Sequence, residues 1–380
     1  MKLRIGITGQ SGFVGTHLYN TLGLQPDQYT RIPFEDAFFK DLPKLNEWVL
    51  SCDVIVHLAA MNRHNDPQVI YKTNIDLVNQ LINAMEKTNS TPHVLFASST
   101  QEERDNLYGK SKREGRELLE RWARENNASF TGLIIPNVFG PFGNPYYNSV
   151  IATFCHQLTH NEEPHIEVDG EIKLIYVNEL IQHLITLITN HQSPITSHQL
   201  QVTQHVPHTA VIRVSELMKL LQEFKTNYFE KAEIPALDNP FHRNLFNTFL
   251  TYIDHAAFFP FKLKLNTDQR GSFVETIKLN SGGQVSFSTT VPGITRGNHF
   301  HTRKAERFAV IKGKAQIQLR RIGTDQVLNF ELDGEHPAFV DMPIWYTHNI
   351  TNVGEDELYT IFWINEHFDG NDPDTWFEKV

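Results

Sequence analysis

The sequence predicts two domains of different class: an α/β domain built on a doubly wound parallel sheet, followed by a smaller all-β domain. Three observations support this prediction. Up to about residue 190, short apolar runs alternate with longer amphipathic stretches, which is the rhythm of repeated strand–helix–strand units. After Pro260, short alternating strands follow one another between turns rich in Gly, Asp and Asn. A chain of 380 residues is also long for a single hydrophobic core.

Four apolar runs in the first part of the chain are typical of parallel strands that are buried on both faces. They are Leu3–Thr8, Val54–Leu58, Val94–Ser98 and Gly132–Ile135. Two stretches between these runs have helical spacing, Val69–Lys87 and Arg113–Glu125. The apolar face of the earlier helix is formed by Ile75, Val78, Ile82 and Met85.

Two further helices are predicted before the chain changes character. One covers Ser215–Tyr228, with Ser215 as its N-cap, and the other covers Phe241–Ile253. The strands predicted after them are Phe261–Leu265, Ser272–Leu279, Val285–Thr290, Arg307–Ile311, Ala315–Arg321 and Leu358–Trp363. We place the domain boundary near residue 255, which gives domains of residues 1–255 and 256–380 with the two helices as a bridge.

Composition and charge limit the class of partner. The net charge is −10 and no run of Lys and Arg opposes it, so we do not expect nucleic acid, which is bound through basic residues. No apolar run approaches the roughly 20 residues that cross a bilayer, and the first residues do not have the pattern of a signal segment. Cys52 and Cys155 lie in no metal or redox spacing, which favours two buried thiols in a reducing compartment. We therefore expect a soluble cytoplasmic protein without membrane insertion.

A glycine-rich turn follows the first predicted strand directly and leads into a helical stretch. The glycines allow a tight turn and a close approach of the backbone, so that a pyrophosphate can lie at the helix N-terminus. This context predicts a dinucleotide site. The residues assigned to it are Gly9, Gly12, Phe13, Val14, Gly15 and Ala59.

The position that meets the adenosine ribose distinguishes NAD from NADP. An NAD site usually has an acidic residue about 20 positions after the glycines, whereas this sequence has Arg31. An arginine suits a 2′-phosphate and favours NADP(H). A solvated surface arginine explains the same position equally well.

A candidate catalytic set follows the strand Val94–Ser98. On a helix, Tyr108 and Lys112 at positions i and i+4 share one face. A lysine ammonium beside a tyrosine stabilises the phenolate and lowers the tyrosine pKa, so that the phenol exchanges a proton near neutral pH. The hydroxyl of Thr100 is placed to hydrogen-bond to the same substrate oxygen.

These motifs resemble the extended short-chain dehydrogenase/reductase family over residues 1–190, and Asn137–Pro141 and Tyr176–Glu179 extend the likeness. The resemblance implies a Rossmann-like fold and a nucleotide-sugar substrate. It also implies a catalytic triad, with its lysine touching the cofactor as well. That triad is Thr100 (or Ser99), Tyr108 and Lys112.

The chain departs from this family at two points. The stretch between Thr100 and Tyr108 is much shorter than usual, so the pocket over the active site must differ. Gln101 also replaces the Asp that the family's 4,6-dehydratases carry after the Thr, which argues against dehydration.

The second domain contains the densest group of candidate metal ligands. His299 and His301 alternate along a predicted strand and point to the same face. Glu306 is expected on the next strand and His348 on a later one. Three imidazoles and one carboxylate inside a small barrel make a site for a divalent metal, with positions left for substrate. We expect zinc, and iron, manganese and nickel also suit this ligand set.

The spacing from Gly293 to Asn352 resembles the two motifs of the cupin superfamily, which implies a jelly-roll barrel. The departure is Trp345, where the family usually has Gly. In addition, Asp268–Phe273 and Arg296–His299 resemble the dTDP-sugar 3,5-epimerases. Those enzymes use no metal and usually have Gln where this chain has His301.

The two domains in this order are similar to the bifunctional capsular polysaccharide synthesis enzymes of the CapF type. The resemblance implies that the cupin epimerises C3 of a UDP-2-acetamido-2,6-dideoxy-4-hexulose, and that the first domain then reduces C4 with NADPH. The implied product is UDP-2-acetamido-2,6-dideoxy-L-talose, on the route to UDP-N-acetyl-L-fucosamine and to capsule or O-antigen polysaccharide. Two alternatives stay open: a redox-neutral epimerase that recycles bound NAD(P), and a non-catalytic protein that binds a dinucleotide and a metal. We expect a homodimer.

Overall fold

The computed structural model describes residues 2–190, 201–269 and 271–380, so Arg270 of the epimerase-like motif lies outside the described residues. The chain forms two compact units whose segments alternate along the sequence. The first unit is Met1–Phe139, Gly143–Val150 and Gly170–Ile212. The second unit is Gly140–Phe142, Ile151–Asp169 and Arg213–Val380.

The first unit is built on a six-stranded sheet in which every neighbouring pair of strands is parallel. The strands along this part of the chain are β1 (Leu3–Thr8), β2 (Tyr29–Ile32), β3 (Val54–His57), β4 (His93–Ser99), β5 (Phe130–Ile135), β6 (Asn137–Phe139), β7 (Glu171–Tyr176), β8 (Gln201–His205) and β9 (Ala210–Arg213). The sheet order is β2-β1-β3-β4-β5-β8, and β6, β7 and β9 form a smaller sheet. Because the chain leaves β1 towards β2 and then crosses to β3, a crevice opens at the carboxyl ends of β1 and β3.

Helices connect these strands and continue into the second unit. Along the chain they are α1 (Phe13–Gly23), α2 (Leu42–Leu50), α3 (Pro67–Thr88), α4 (Leu107–Glu125), α5 (Val150–Thr159), α6 (Val177–Asn190), α7 (Val214–Phe224), α8 (Pro240–Leu250) and α9 (His255–Phe258). In the first unit, α3 buries Val78, Leu81 and Met85 in a core that also contains Phe96 and Phe130 of the sheet. The predicted strands are confirmed, with ends that differ by a residue or two.

Helix α4 begins at Leu107, before the stretch Arg113–Glu125 that has helical spacing, and it includes Tyr108 and Lys112, as the catalytic prediction requires. Its first turn contains few apolar residues, so apolar spacing does not reveal it. The turn is fixed instead by Asn106, whose side chain accepts a hydrogen bond from the backbone N–H of Gly109 at 2.7 Å.

The second unit contains two five-stranded sheets made of antiparallel pairs, and the all-β class predicted for the chain after Pro260 is confirmed. Its strands are β10 (Glu233–Ile234), β11 (Phe261–Lys262), β12 (Leu265–Asp268), β13 (Gly271–Val274), β14 (Lys278–Leu279), β15 (Gln284–Thr290), β16 (Thr295–Phe300), β17 (Glu306–Lys312), β18 (Lys314–Arg321), β19 (Val327–Asp333), β20 (Ala338–Met342), β21 (Tyr346–Asn352), β22 (Leu358–Ile364) and β23 (Trp376–Phe377). The sheet orders are β11-β20-β17-β22-β15 and β19-β18-β21-β16-β23. The core of this unit includes Ile317, Leu319, Phe339 and Val340.

Two predicted strands of this unit are each divided in two. Phe261–Leu265 becomes β11 and β12, and Ser272–Leu279 becomes β13 and β14. A change of pairing partner breaks each run, because β11 pairs with β20 whereas β12 and β13 form a hairpin of their own. Alternation along the sequence does not reveal such a change.

The chain segment after Ile212 packs within the second unit. The hydroxyl of Tyr228 donates to the Asp341 carboxylate at 2.5 Å, and the Arg307 guanidinium donates to the carbonyl oxygen of Ala232 at 2.7 Å. The last division between the two compact units lies at Ile212/Arg213. The sequence predicts a domain boundary later in the chain, near residue 255. The spacing of apolar residues predicts a helix face and not the surface that covers it.

Ser215 is not the N-cap of α7, since Arg213 occupies that position. The carboxylate of Asp169 instead accepts hydrogen bonds from the backbone N–H and the hydroxyl of Ser215, each at 2.9 Å. A residue distant in sequence thus satisfies the open first turn of the helix.

Two predictions from composition have structural counterparts. Cys52 and Cys155 are buried free thiols. Among the described residues, no helix is both long enough and apolar enough to cross a membrane.

Candidate functional site

A cavity of about 500 Å³ lies in the first unit, at the carboxyl ends of the parallel strands. Its wall begins with the glycine turn between β1 and α1. Gly9 has φ +67°, and a side chain there would meet the backbone of Ala59 at 2.9 Å. A side chain at Gly15 would approach the carbonyl oxygen of Gly9 to 2.2 Å. Both positions therefore require glycine, as the sequence predicts.

The start of α1 leaves backbone donors available at this cavity. Gly12 is the N-cap of the helix and offers no side-chain cap. The first amides of such a helix have no partner within the helix, and its dipole favours negative charge. The predicted cofactor residues that line the cavity are Gly9, Gly12, Phe13, Val14, Gly15 and Lys112.

Two predicted cofactor residues lie elsewhere. Ala59 packs against Gly9 and donates its backbone N–H to the Thr8 hydroxyl at 3.3 Å. Arg31 does not line the cavity. Its guanidinium lies over the Tyr19 ring at 4.3 Å and donates to the Tyr19 carbonyl oxygen at 3.1 Å. This packing matches the surface alternative more closely than it matches a phosphate ligand.

The structure brings two of the three predicted catalytic residues to the cavity and turns the third away. Tyr108 and Lys112 of α4 both line it. Thr100 is exposed, because it begins a 3-10 turn, Thr100–Glu103, directly after β4. Ser99, the last residue of β4 and the alternative that the family resemblance allowed, lines the cavity together with Ser98. Its hydroxyl accepts a hydrogen bond from the backbone N–H of Gln101 at 3.2 Å, whereas the Ser98 hydroxyl donates to Glu102.

Burial determines the protonation of both helix residues. It lowers the pKa of Lys112 to about 8, and the ammonium lies 4.6 Å from the centre of the Phe96 ring. Burial, followed by the neighbouring Tyr147, raises the pKa of Tyr108 to about 12. The lowered tyrosine pKa predicted from the sequence is therefore not found, because desolvation of the phenolate dominates. Tyr108 is a protonated donor at neutral pH.

An ion pair between a half-buried arginine and a buried carboxylate, which sequence reasoning missed, supports this wall. Arg116 of α4 contacts the Glu102 carboxylate at 3.0 Å, and the Ser98 hydroxyl donates to the same carboxylate. A side chain at Gly109 would come within 1.9 Å of the carbonyl oxygen of Gln101, so the turn lies directly against α4. No local pattern marks a pair separated by 14 residues.

A second candidate site lies inside the second unit. His299 is on β16, His301 directly follows it, Glu306 begins β17 and His348 lies on β21. One ligand atom from each residue falls within 4.8 Å of the others. The register pairs His299 with His348, which places these imidazoles on adjacent strands. All four predicted metal ligands are thus brought together.

The atoms of this cluster are oriented towards a common point. The Nδ1 of His301 is bonded to the carbonyl oxygen of Asp374, and the Nδ1 of His348 to that of Tyr346 at 3.2 Å. Both Nε2 atoms therefore face Glu306, at 3.2 Å and 3.1 Å from its Oε2. Within the part of the chain that the structure describes, none of these three buried atoms has a hydrogen-bond partner.

Such a cluster fits a cation. Buried polar atoms without partners cost free energy, and a divalent ion at their common point removes that cost. Burial, then His348 and His301, lowers the pKa of His299 to about 4, which leaves a neutral imidazole that can act as a ligand. Burial opposes ionisation of Glu306, yet His301 and His348 hold the pKa of this carboxyl well below its usual range.

Trp345 has a left-handed backbone, with φ +61°. This conformation favours glycine, the residue that the cupin motif usually has at this position. The ring is buried and stacks on Phe300, with centroids 5.5 Å apart. The chain therefore retains the turn and fills it with an aromatic side chain.

Two family models match the chain. Residues 5–202 match the NAD dependent epimerase/dehydratase family, and residues 266–376 match the polysaccharide biosynthesis C-terminal domain. Both matches agree with the placement of the cavity and of the four-residue cluster.

Relatives match along the whole chain. The chain is 33% identical to UDP-2-acetamido-2,6-beta-L-arabino-hexul-4-ose reductase of Pseudomonas aeruginosa, with 98% of each chain covered. It is also 35% identical in sequence to capsular polysaccharide assembling protein CapF from Staphylococcus aureus, whose crystal structure is known. That match has a TM-score of 0.61 and covers 99% of this chain and 100% of the other.

A more distant solved structure supports the fold of the first part alone. RMD from Pseudomonas aeruginosa, solved in complex with NADPH, is 19% identical with a TM-score of 0.52. The match covers 59% of this chain and 83% of the other. Because the two relatives above match along their whole length, the chain belongs to the CapF-like family of capsular polysaccharide biosynthesis proteins, with an NAD dependent epimerase/dehydratase domain and a polysaccharide biosynthesis C-terminal domain.

Proposed function

We propose that this chain is a bifunctional nucleotide-sugar epimerase and reductase that acts on a UDP-2-acetamido-2,6-dideoxy-4-hexulose. The observation that carries the proposal is the identity of 33% to a hexulose reductase over 98% of both chains. The product is UDP-2-acetamido-2,6-dideoxy-L-talose, a precursor of UDP-N-acetyl-L-fucosamine for capsule or O-antigen polysaccharide. We expect the protein to work as a homodimer in the cytoplasm.

The cavity of the first unit is the proposed reductase site. NADP(H), when bound, supplies the hydride that reaches C4. The turn Gly9–Gly15 accommodates the diphosphate at the start of α1. Ser99 donates a hydrogen bond to the C4 oxygen, and Tyr108 gives that oxygen its proton. Lys112 stabilises the resulting phenolate and the cofactor ribose.

NADP(H) remains our choice over NAD, although Arg31 gives little support for it. The guanidinium is held over Tyr19 and meets a 2′-phosphate only if it leaves this ring. The rates of reduction with NADPH and with NADH at equal concentration show which cofactor is preferred. The same comparison in Arg31→Ala shows whether this side chain contributes to the preference.

The cluster of the second unit is the proposed epimerase site. His299, His301, Glu306 and His348 hold the metal, which we expect to be zinc. A divalent ion held by these residues would supply a Lewis acid for the C4 carbonyl, which would make the C3 proton more acidic. A divalent ion held by three imidazole nitrogens and one carboxylate would give the site a net positive charge, which favours negative charge on the substrate oxygen. The barrel that surrounds the cluster is proposed to be a cupin.

The two half-reactions are separated by one experiment. The protein is incubated with NADPH and the UDP-4-hexulose in deuterium oxide, NADPH oxidation is followed by absorbance, and the product is analysed by NMR. We expect NADPH oxidation together with deuterium at C3. Tyr108→Phe should stop the oxidation and leave the isotope exchange, whereas His348→Ala should stop the exchange.

Each contrary result points to a different alternative. Isotope exchange without net NADPH oxidation would favour a redox-neutral epimerase that recycles its cofactor. NADPH oxidation without deuterium exchange at C3 would exclude epimerase activity on this sugar. If neither reaction occurs with any 4-keto sugar, the alternative of a non-catalytic protein that binds a dinucleotide and a metal is favoured.

A further inference from the structure

The carboxylate of Asp374 is buried against the segment that joins two of the four cluster residues. Its side chain lies against Thr302–Lys304, which connects His301 to Glu306, and the residue is 4% exposed. The donors on this segment are the Thr302 hydroxyl at 2.7 Å and the backbone N–H groups of Arg303 at 2.9 Å, Thr302 at 3.1 Å and Lys304 at 3.3 Å. The indole N–H of Trp376 adds a contact at 3.2 Å. Three successive backbone amides converging on one anion make a tight anion nest.

The main chain of the same residue contacts the cluster directly. The carbonyl oxygen of Asp374 accepts the hydrogen bond from Nδ1 of His301. This bond fixes the imidazole tautomer that presents Nε2 to the metal. Asp374 has φ +40°, in the left-handed region, so its backbone is strained, and the hydrogen bonds of its side chain hold it there.

We infer that Asp374 is a positioning residue for the metal centre, which acts through its carboxylate on the Thr302–Lys304 segment and through its carbonyl on His301. This inference rests on the proposed metal-binding function of the cluster. The carboxylate fixes the chain segment between the two ligands, and the carbonyl fixes the His301 ring itself. One residue thereby sets the direction of His301 and the separation between His301 and Glu306.

An amide cannot replace this carboxylate. In Asp374→Asn, an NH2 group takes the place of one oxygen and meets N–H donors instead of accepting from them. The main-chain carbonyl remains, but the segment that positions it loses its anchor. Removal of a comparable partner of a metal-bound histidine costs about 10- to 100-fold in metal affinity.

The test measures metal binding by the full-length protein without substrate. Zinc affinity is determined by competition with a chromophoric chelator, and ligand geometry from the visible spectrum of the cobalt-loaded protein. Asp374→Asn should weaken zinc binding about 10- to 100-fold and alter the cobalt spectrum. The matched control is Asp372→Asn, which removes the same charge from an exposed side chain that pairs with Arg303. It should bind zinc like the wild type.

The outcomes separate this inference from the proposed function. If the wild type binds neither zinc nor cobalt, the metal function itself fails. If the wild type binds zinc and a folded Asp374→Asn binds it equally well, the positioning role is wrong. Should Asp374→Asn not fold, Trp376→Phe removes one donor and retains a smaller aromatic ring. A weaker zinc affinity in that variant supports the role, and an unchanged affinity overturns it.

Discussion

At the scale of single residues, the reductase site depends on which of two neighbouring hydroxyls faces the cavity. The sequence alone favours Thr100, by its place in a motif. The structure places Ser99 there, since β4 continues through Ser99 and the chain then turns outward. A motif gives the order of the residues, but the last residue of the strand decides which side chain lies at the carboxyl edge of the sheet.

This difference predicts unequal effects of two small substitutions. Ser99→Ala removes a hydrogen bond to the reacting oxygen and should lower kcat for NADPH oxidation about 10- to 100-fold, with little change in KM. Thr100→Val, at an exposed position, should leave kcat within about twofold of the wild type. Steady-state kinetics on both variants checks this. An equal loss in both, or a larger loss in Thr100→Val, would return the catalytic role to Thr100.

Lys112 should reduce the stability of the free protein at neutral pH. Its ordinary pKa of 10.5 falls to about 8 on burial, so below pH 8 the folded state carries a buried charge at a cost on the order of 3 kcal/mol. Between pH 8 and 10.5 the unfolded chain binds more protons, and stability rises with pH. Lys112→Met should therefore be inactive yet more stable at pH 7, with a gain that shrinks towards pH 10. Urea unfolding across this range measures the gain, and one that does not depend on pH contradicts the assignment.

At the scale of elements, the sequence predicts four of the six parallel strands, β1, β3, β4 and β5, because each is a largely buried apolar run. The strands β2 and β8 are partly exposed and have no such signal. The helix α3 is predicted for a similar reason, since Val78 and Met85 repeat on one buried face. The strands β12 and β13 are not separated from their neighbours by the sequence, because their pairing depends on residues elsewhere in the chain. The structure brings the four cluster residues together as their spacing along three strands and a loop indicates, and their role as metal ligands stays a prediction.

The contact between α4 and the turn Thr100–Glu103 gives a prediction at this scale. Gly109→Ala usually favours a helix, but here the added methyl would lie 1.9 Å from the carbonyl oxygen of Gln101. We expect a loss of about 1–3 kcal/mol in unfolding free energy and a lower kcat for reduction. Gly170→Ala is the control, because its methyl would have no atom within 4 Å. Equal stability of the two variants in urea would show that the turn moves away freely.

At the scale of the whole molecule, the two candidate sites lie in different compact units, so their ligands should stabilise different parts of the chain. At 100 times its dissociation constant, each ligand adds about 2.7 kcal/mol to the unit that binds it. Hydrogen exchange should therefore slow in β1–β5 when NADPH is added, and in β16–β21 when zinc is added. His348→Ala should abolish the zinc effect and retain the NADPH effect. A zinc effect that persists in this variant would place the ion elsewhere.

The alternation of the two units along the chain has a consequence for synthesis on the ribosome. Thr159, at the end of α5, donates its hydroxyl to the carbonyl oxygen of Tyr252, which follows 93 residues later. At about 5–20 residues per second, roughly 5 to 20 s pass between the translation of the two. During this interval the apolar face of α5, with Ile151, Phe154 and Leu158, has emerged before the surface that will cover it. The nascent chain therefore carries an uncovered helix in its middle while the ribosome completes the rest.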